Sequence, residues 1–253
     1  MQLTWLGTGT INTYDNFHTN SVLLDENTNK RLLLDCGGDI RFSLREQGLT
    51  YNDIDSVYIS HLHGDHCGGL EWLGFCRFFD PSCVKPTLYI SKSLRNDLWN
   101  NVLSGGMRSL QGMINTLDTY FDVIPIEKNG SFIFGNADLQ LVQSIHIMDG
   151  FALQPCFGLI VTTAEGKKIY FTFDSQFCPE QITDFYDMAD VIYHDCEITE
   201  YKSRVHANYQ DLITLPDETR KKMRLTHFQD GERPDAEADG FWGFVEKGNV
   251  FGL

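Results

Sequence analysis

The sequence contains no C-x-x-C pair, no basic stretch leading into an apolar one at its N-terminus, and no apolar run near the roughly 18 to 20 residues that cross a bilayer. Its seven cysteines (Cys36, Cys67, Cys76, Cys83, Cys156, Cys178 and Cys196) are odd in number, which argues against a disulfide framework and for a reduced, cytoplasmic setting. Positive charge is scarce: 20 Lys and Arg stand against 35 Asp and Glu, a formal charge of −15. A surface of that sign repels a polyanion unless its cations cluster, so broad nucleic-acid binding is disfavoured. Repeats, linkers and low-complexity tracts are also missing. What is present is 42% hydrophobic and 13% aromatic residues over 253 positions, enough for one sizeable core. The expectation is a soluble protein with a single domain spanning residues 1–253.

Hydrophobic patterning divides the chain into two strand-rich halves around a helical middle. QLTWLG, NSVLLDE and RLLLDCG are short apolar runs bounded by Gly, Asn or Asp and read as strands. DIRFSLREQG has helical spacing, IDSVYIS is a strand leading into the polar HLHGDH, and GGLEWLGFCRFF is a helix. From Ser91 to Tyr120 apolar residues recur every three or four positions, which predicts mostly helix interrupted at Ser104-Gly105-Gly106. FDVIPI, SFIF, ADLQLVQSIHI, FGLIVTT and KIYFTFD then read as strands, followed by ADVIYHD and MRLTHF.

The chemistry concentrates in His61-Leu62-His63-Gly64-Asp65-His66, four metal-ligating side chains among six residues where a strand ends. One cation would not use them all, whereas two could share the cluster if other ligands arrived from elsewhere. His146 closes ADLQLVQSIHI, Asp174 closes KIYFTFD and His227 closes MRLTH, so each is presented at a strand end beside a loop. Any one of them alone reads as an ordinary exposed or hydrogen-bonded residue. Jointly they read as one site.

In this order, H-x-H-x-D-H, a later His, an Asp and a final His, the chain resembles the metallo-β-lactamase fold superfamily over most of its length. The resemblance implies a four-layer αββα sandwich in which His61, His63 and His146 hold one metal, Asp65, His66 and His227 a second, and Asp174 bridges both. It implies two divalent cations, Zn²⁺ first with Mn²⁺ or Mg²⁺ as alternatives, and a metal-bridging hydroxide that attacks the substrate, oriented by Asp65. Asp174 stands where the best-known zinc β-lactamases carry Cys, which points away from a lactamase. VIYHDCE, RVHANYQDL and MRLTHF look like the ribonuclease Z group, with Asp195 and His206 in the places of its proton-relay pair. Asp195 replaces that group's usual Glu, and Ala207 its usual hydroxyl residue.

A His held by a carboxylate can protonate a departing sugar oxygen, as phosphodiester cleavage requires. Ribonuclease Z proper grips precursor tRNA with a protruding basic arm, and Ser91–Tyr120 supplies only Lys92, Arg95 and Arg108. The whole-chain pattern is closer to the anti-Pycsar phosphodiesterases, metallo-β-lactamase-fold proteins of phages and bacteria that hydrolyse cyclic nucleotides. The expected substrate is thus a 3′,5′-cyclic mononucleotide such as cCMP or cUMP, whose single charge needs no extended basic surface. The alternatives are a tRNA 3′ endonuclease and a non-catalytic nucleotide-binding module. A homodimer is expected from the family likeness alone.

Other segments carry less. Gly7-Thr8-Gly9 lacks the third Gly of a dinucleotide loop and reads as a tight turn. Tyr14, Asn16, Phe17 and His18 could meet a base, though local packing is the plainer reading. Arg220, Lys221, Lys222 and Arg224 form the densest basic run, and Phe241, Trp242, Phe244 and Phe251 are expected to close the core.

Overall fold

The computed structural model describes residues 1–253. The first half runs β1 (Gln2–Gly7), β2 (Asn20–Asp25), β3 (Lys30–Leu34), α1 (Ile40–Glu46), β4 (Ser56–Ile59), α2 (Gly64–Cys67), α3 (Leu70–Phe79) and β5 (Thr87–Ser91). It continues through α4 (Lys92–Asp97), a π turn at Leu98–Leu103, α5 (Ser104–Met107), a small hairpin of β6 (Ser109–Leu110) and β7 (Met113–Ile114), α6 (Leu117–Tyr120) and β8 (Asp122–Ile126). The second half runs β9 (Ser131–Phe134), β10 (Ala137–Gln143), β11 (Phe157–Thr162), β12 (Lys168–Phe171), α7 (Pro179–Met188), β13 (Val191–Asp195), α8 (Tyr209–Leu212), α9 (Asp217–Arg220), β14 (Met223–Thr226) and β15 (Gly243–Phe244). Finally β16 (Val250–Gly252) returns to the first half and pairs antiparallel with β1.

The strands form two seven-stranded mixed sheets, ordered β16-β1-β2-β3-β4-β5-β8 and β15-β14-β13-β12-β11-β10-β9. Side-chain alternation explains why they face one another. Along β11 and β12, Leu159, Val161, Ile169 and Phe171 join the same apolar cluster as Leu3, Leu23, Leu33 and Val57 of the first sheet. The intervening Ile160 and Tyr170 point the other way and pack with Ile182 and Tyr186 of α7 and Leu212 of α8. One face of the second sheet thus meets the first sheet and the other is covered by helix. Ile40, Leu44, Leu70, Leu73 and Leu94 of α1, α3 and α4 join the cluster on the first sheet's side. This is the four-layer αββα arrangement. Fully burying a Leu, Ile or Phe of this kind contributes about 1.5 to 3 kcal/mol.

Strand direction positions the site. β3 and β4 are parallel, as are β12, β13 and β14, and β10 shares their direction because both it and β12 run antiparallel to β11. The C-terminal ends of β3 and β4 in one sheet, and of β10, β12, β13 and β14 in the other, and the segments leaving them, carry Asp35, His61, His146, Asp174, Asp195 and His227.

The expectation of helix through Ser91–Tyr120 is corrected at two points. The chain stays helical across Ser104-Gly105-Gly106, and the irregularity is the wider turn just before it. Leu110, Met113 and Ile114 belong to a two-stranded hairpin, with the intervening Gly112 at φ 76°, a conformation that stops a helix and suits a tight turn. The strands before His146 and Asp174 are also shorter than their apolar runs suggest, ending at Gln143 and Phe171. Both residues lie in the loops beyond.

Candidate metal centre

His61 to His66 leave the end of β4 and curl into α2, so that alternate side chains of a short segment converge rather than point to opposite faces. His61 Nε2 lies 3.0 Å from His63 Nδ1, and His63 Nδ1 lies 3.3 Å from His146 Nε2. Both His61 Nε2 and His146 Nε2 face Asp174 Oδ2, at 3.6 and 3.5 Å. The other oxygen of the same carboxylate, Asp174 Oδ1, faces His66 Nε2 at 3.1 Å and His227 Nε2 at 3.4 Å. Asp65 Oδ2 completes that side, 3.5 Å from His66 Nε2 and 3.3 Å from His227 Nε2. The seven side chains therefore form two lobes, one on each oxygen of Asp174, and all are buried except His63.

Apart from the exposed His63, the histidines of this site are oriented from behind. Ser60 Oγ lies 3.0 Å from His61 Nδ1 and donates to Asp35 Oδ2 at 2.7 Å. His66 Nδ1 also donates to Asp35 Oδ2, at 2.7 Å, while Asp35 Oδ1 accepts from the Ser60 amide. His146 Nδ1 donates to the carbonyl of Val205 at 2.8 Å. Asp195 Oδ2 accepts from His206 Nδ1 at 2.8 Å and from the Ser175 amide at 2.9 Å, and its Oδ1 faces His227 Nδ1 at 3.3 Å. Holding one ring nitrogen fixes the tautomer and leaves the other to face the lobes, a common arrangement around metal-ligating histidines.

This is a donor set suited to divalent cations: imidazoles and carboxylates, converging without an intervening lysine or arginine. The atoms that face inward include His66 Nε2 and Asp174 Oδ1, both buried and without a hydrogen-bond partner in the chain. Buried polar atoms left unpartnered are costly, and a cation between them removes the penalty.

The charges of the two lobes differ in the chain without metal. Burial, reinforced by neighbouring His66, holds His61 well below the usual imidazole range, and burial likewise lowers His63 and His146. Burial also opposes charge on His66 and His227, but the surrounding carboxylates outweigh it, so that His66 is raised well above its usual range and His227 is pushed up to about 10. Against burial, these two rings hold Asp65 and Asp174 far below the usual carboxylate range. His206 is raised because Asp195 overcomes its burial, and Asp195 is lowered in turn.

Backbone strain collects at the same place. Asp35 (φ 60°), His227 (φ 59°), Phe173 (φ 47°, before Asp174) and Arg204 (φ 67°, near His206) are left-handed although none is glycine. Such residues cost on the order of 1 to 3 kcal/mol each and persist where the surroundings over-determine them.

All nine residues singled out in the sequence, His61, His63, Asp65, His66, His146, Asp174, Asp195, His206 and His227, meet here. Asp35 and Ser60 were missed. A readable signal existed in the Asp that ends the apolar run RLLLDCG, since a carboxylate that close to a buried strand needs a partner. Of the loop residues considered for base contact, Asn16 is bonded to Asp230, Phe17 sits under Lys247, and the His18 ring packs beside Asp39. Tyr14 alone is open, 92% exposed. Gly7 closes β1 so near the His18 carbonyl that a Cβ would lie 2.2 Å from it, and Gly9 bridges to His18 and Phe228, so the expected tight turn is not at Gly7–Gly9 but just beyond, where the Thr13 amide donates to the Thr10 carbonyl. The basic run is largely used internally: Arg220 bonds the Ile213 carbonyl, Lys222 the carbonyls of Tyr186 and Asp187, and Arg224 the Tyr193 hydroxyl. Phe241 is buried as expected, but Trp242 is 42% exposed and covers Arg224 instead of closing the core.

A cavity of about 160 Å³ opens beside His61, His63 and His146, walled by Leu62, Leu94, Ile147 and Pro155, with Asp97 and Gln154 also lining it. No helix is long and apolar enough to cross a membrane, and all seven cysteines are free thiols.

The profile of the family described as anti-Pycsar protein Apyc1 matches residues 1–251. The chain belongs to that family. The anti-Pycsar protein Apyc1 of Paenibacillus sp. (strain J14) is 32% identical over 256 residues, covering 100% of this chain and 99% of that one. Among solved structures, the metallo-β-lactamase fold protein YhfI from Bacillus subtilis superposes with a TM-score of 0.74 at 16% identity, covering 99% of both chains. The short form of human tRNase Z superposes with a TM-score of 0.68 at 22% identity, over 100% of this chain and 99% of that one. These likenesses identify the fold of this Apyc1-family chain as that of the metallo-β-lactamases.

Proposed function

We propose that the chain is a dinuclear metal-dependent phosphodiesterase that opens the phosphodiester ring of a 3′,5′-cyclic nucleotide. The observation that carries the reading is the placement of a carboxylate-held histidine, His206, beside two donor lobes that share Asp174. On this reading His61, His63 and His146 hold one cation, Asp65, His66 and His227 the other, and Asp174 both. The imidazole-rich first lobe suits Zn²⁺, with Mn²⁺ or Mg²⁺ as alternatives. When bound, such a pair supplies Lewis acidity toward a phosphoryl oxygen and makes a water acidic enough to attack near neutral pH.

The chain's own groups do the rest. His206 donates to Asp195 through Nδ1, which leaves Nε2 to deliver a proton to the departing ribose oxygen. The phosphorus to ribose-oxygen bond breaks and a phosphorus to water-oxygen bond forms, and His206 prevents an alkoxide from having to leave unprotonated. Asp65 can help orient the attacking water. The small, largely apolar cavity beside the first lobe carries no lysine or arginine, so it suits the neutral part of a nucleotide while the phosphate lies on the lobes. The anti-Pycsar name of the relatives agrees with removal of a cyclic-nucleotide signal, as in phage evasion of antiphage defence. The reading takes residues 1–253 as one domain.

A panel of 3′,5′-cyclic nucleotides, cCMP and cUMP included, assayed beside a precursor tRNA tests this. Ring opening to the nucleoside monophosphate is expected. Cleavage of the tRNA alone would establish the endonuclease instead, and tight nucleotide binding without turnover would establish a binding module.

A further inference from the structure

We infer that Glu197 is a positioning residue for His206, acting through the segment Ser203–Val205; the inference rests on the phosphodiesterase reading above. His206 does not sit on a strand or helix. It ends an irregular stretch from Ile198 to Val205 in which Tyr201, Lys202 and Arg204 are exposed, so something other than regular hydrogen bonding must hold its ring against Asp195.

Glu197 does this from both ends of the stretch. Its backbone closes the base: the Glu197 amide donates to the Ala207 carbonyl at 2.8 Å, and the Tyr209 amide donates to the Glu197 carbonyl at 2.8 Å. Its side chain holds the return: the Ser203 amide donates to Oε2 at 2.9 Å and Oε1 at 3.3 Å. Ser203 Oγ then accepts from the Val205 amide at 3.3 Å, and the Val205 carbonyl accepts from His146 Nδ1. The chain from Glu197 through Ser203 and Val205 therefore arrives at His206 with each step fixed, including Arg204 in its left-handed conformation.

The Glu197 carboxylate is buried, with no lysine, arginine or histidine in ion-pair distance. Burying a carboxylate against one backbone amide costs free energy that a neutral Ser or Asn closing the same loop would not incur. Glu197 is also next but one to Asp195, the partner of His206, so one short segment sets both members of the pair.

The leaving group separates positioning from mere support. An acid is needed when ribose alkoxide leaves but hardly when 4-nitrophenolate leaves, so cyclic nucleotide and bis(4-nitrophenyl) phosphate are compared in kcat and KM. Glu197→Ala is expected to lower kcat on the cyclic nucleotide about 10- to 100-fold with KM within about twofold, and to change turnover of the nitrophenyl ester by less than about threefold. Glu197→Gln, which keeps an acceptor, is expected to stay within about threefold of wild type on both. In metal-free protein, Glu197→Ala is expected to speed hydrogen exchange at the Ser203 and Val205 amides.

Equal losses on the two substrates, no loss on either, or a Gln variant as impaired as the Ala variant would each overturn the inference. Should the Ala variant not fold, Glu197→Asp takes its place with the same selective loss expected. If the wild type cleaves the nitrophenyl ester but no cyclic nucleotide, the substrate reading fails by itself. The exchange rates then decide the positioning role: faster exchange supports it and unchanged exchange ends it.

Discussion

Asp35 and Asp195 are the same device used for two purposes. Each is a buried carboxylate at the C-terminal end of a parallel strand, one per sheet, and each addresses two histidines. Asp35 holds His66 directly and His61 through Ser60, both of them inward-facing rings of the lobes. Asp195 faces one such ring, His227, and one ring outside the proposed ligand set, His206. Their carboxyls shift in opposite directions: burial pushes Asp35 up, whereas His206 and His227 outweigh burial and hold Asp195 down. On the proposed reading, the first sheet's carboxylate would serve cation binding, and the second sheet's would couple cation binding to proton transfer.

Asp174 is the reference for that contrast because both lobes depend on it, and Asp174→Ala should remove both cations and lower turnover by at least about 10⁴-fold, read by elemental analysis and steady-state kinetics. His206→Ala should retain both cations and lose about 10² to 10⁴ in kcat. Asp195→Asn should approach the same loss, and the double variant should be little worse than either single one, since the two residues act as a unit. Asp35→Asn should reverse the pattern, weakening metal affinity about 10- to 100-fold while kcat at saturating metal stays near wild type. If Asp35→Asn lost kcat and Asp195→Asn lost only metal, the division of labour drawn here would be wrong.

The smallest effect lies at the seam between the halves. Asp230, beyond His227, accepts from Thr13 Oγ1, the Tyr14 and Asp15 amides and Asn16 Nδ2. Although burial opposes them, these bonds hold its carboxyl below the usual range. A depressed folded pKa stabilises above the unfolded value and the contribution disappears as pH falls through the folded one. Asp230→Asn should therefore lower the melting temperature by a few degrees at pH 7, with the gap to wild type closing in the acidic range below the ordinary Asp pKa of about 3.9.

The two carboxylates also mark where the site was legible. His61 to His66 could be read because the ligands are nearly contiguous, and His146, Asp174 and His227 because each follows an apolar run that ends near a turn. Asp195 became readable only beside His206. Asp35 was readable only as a carboxylate in need of a partner, since nothing local says that the Asp of RLLLDCG will meet His66, a contact between residues 31 positions apart. The two sheets followed from alternating apolar runs, yet the runs overstated strand length before His146 and Asp174. Three- and four-residue spacing near Met113 and Ile114 suited a helix, and Gly112 gave a hairpin instead. Left-handed backbone at Asp35 and His227 is set by tertiary contacts and leaves no mark in composition.

The most direct test of the central claim is an anomalous-scattering map of crystals grown with a divalent transition metal. The account predicts two peaks, one bordered by His61, His63 and His146, the other by Asp65, His66 and His227, with Asp174 between them. A single peak, or metal bound only elsewhere on the chain, would contradict it.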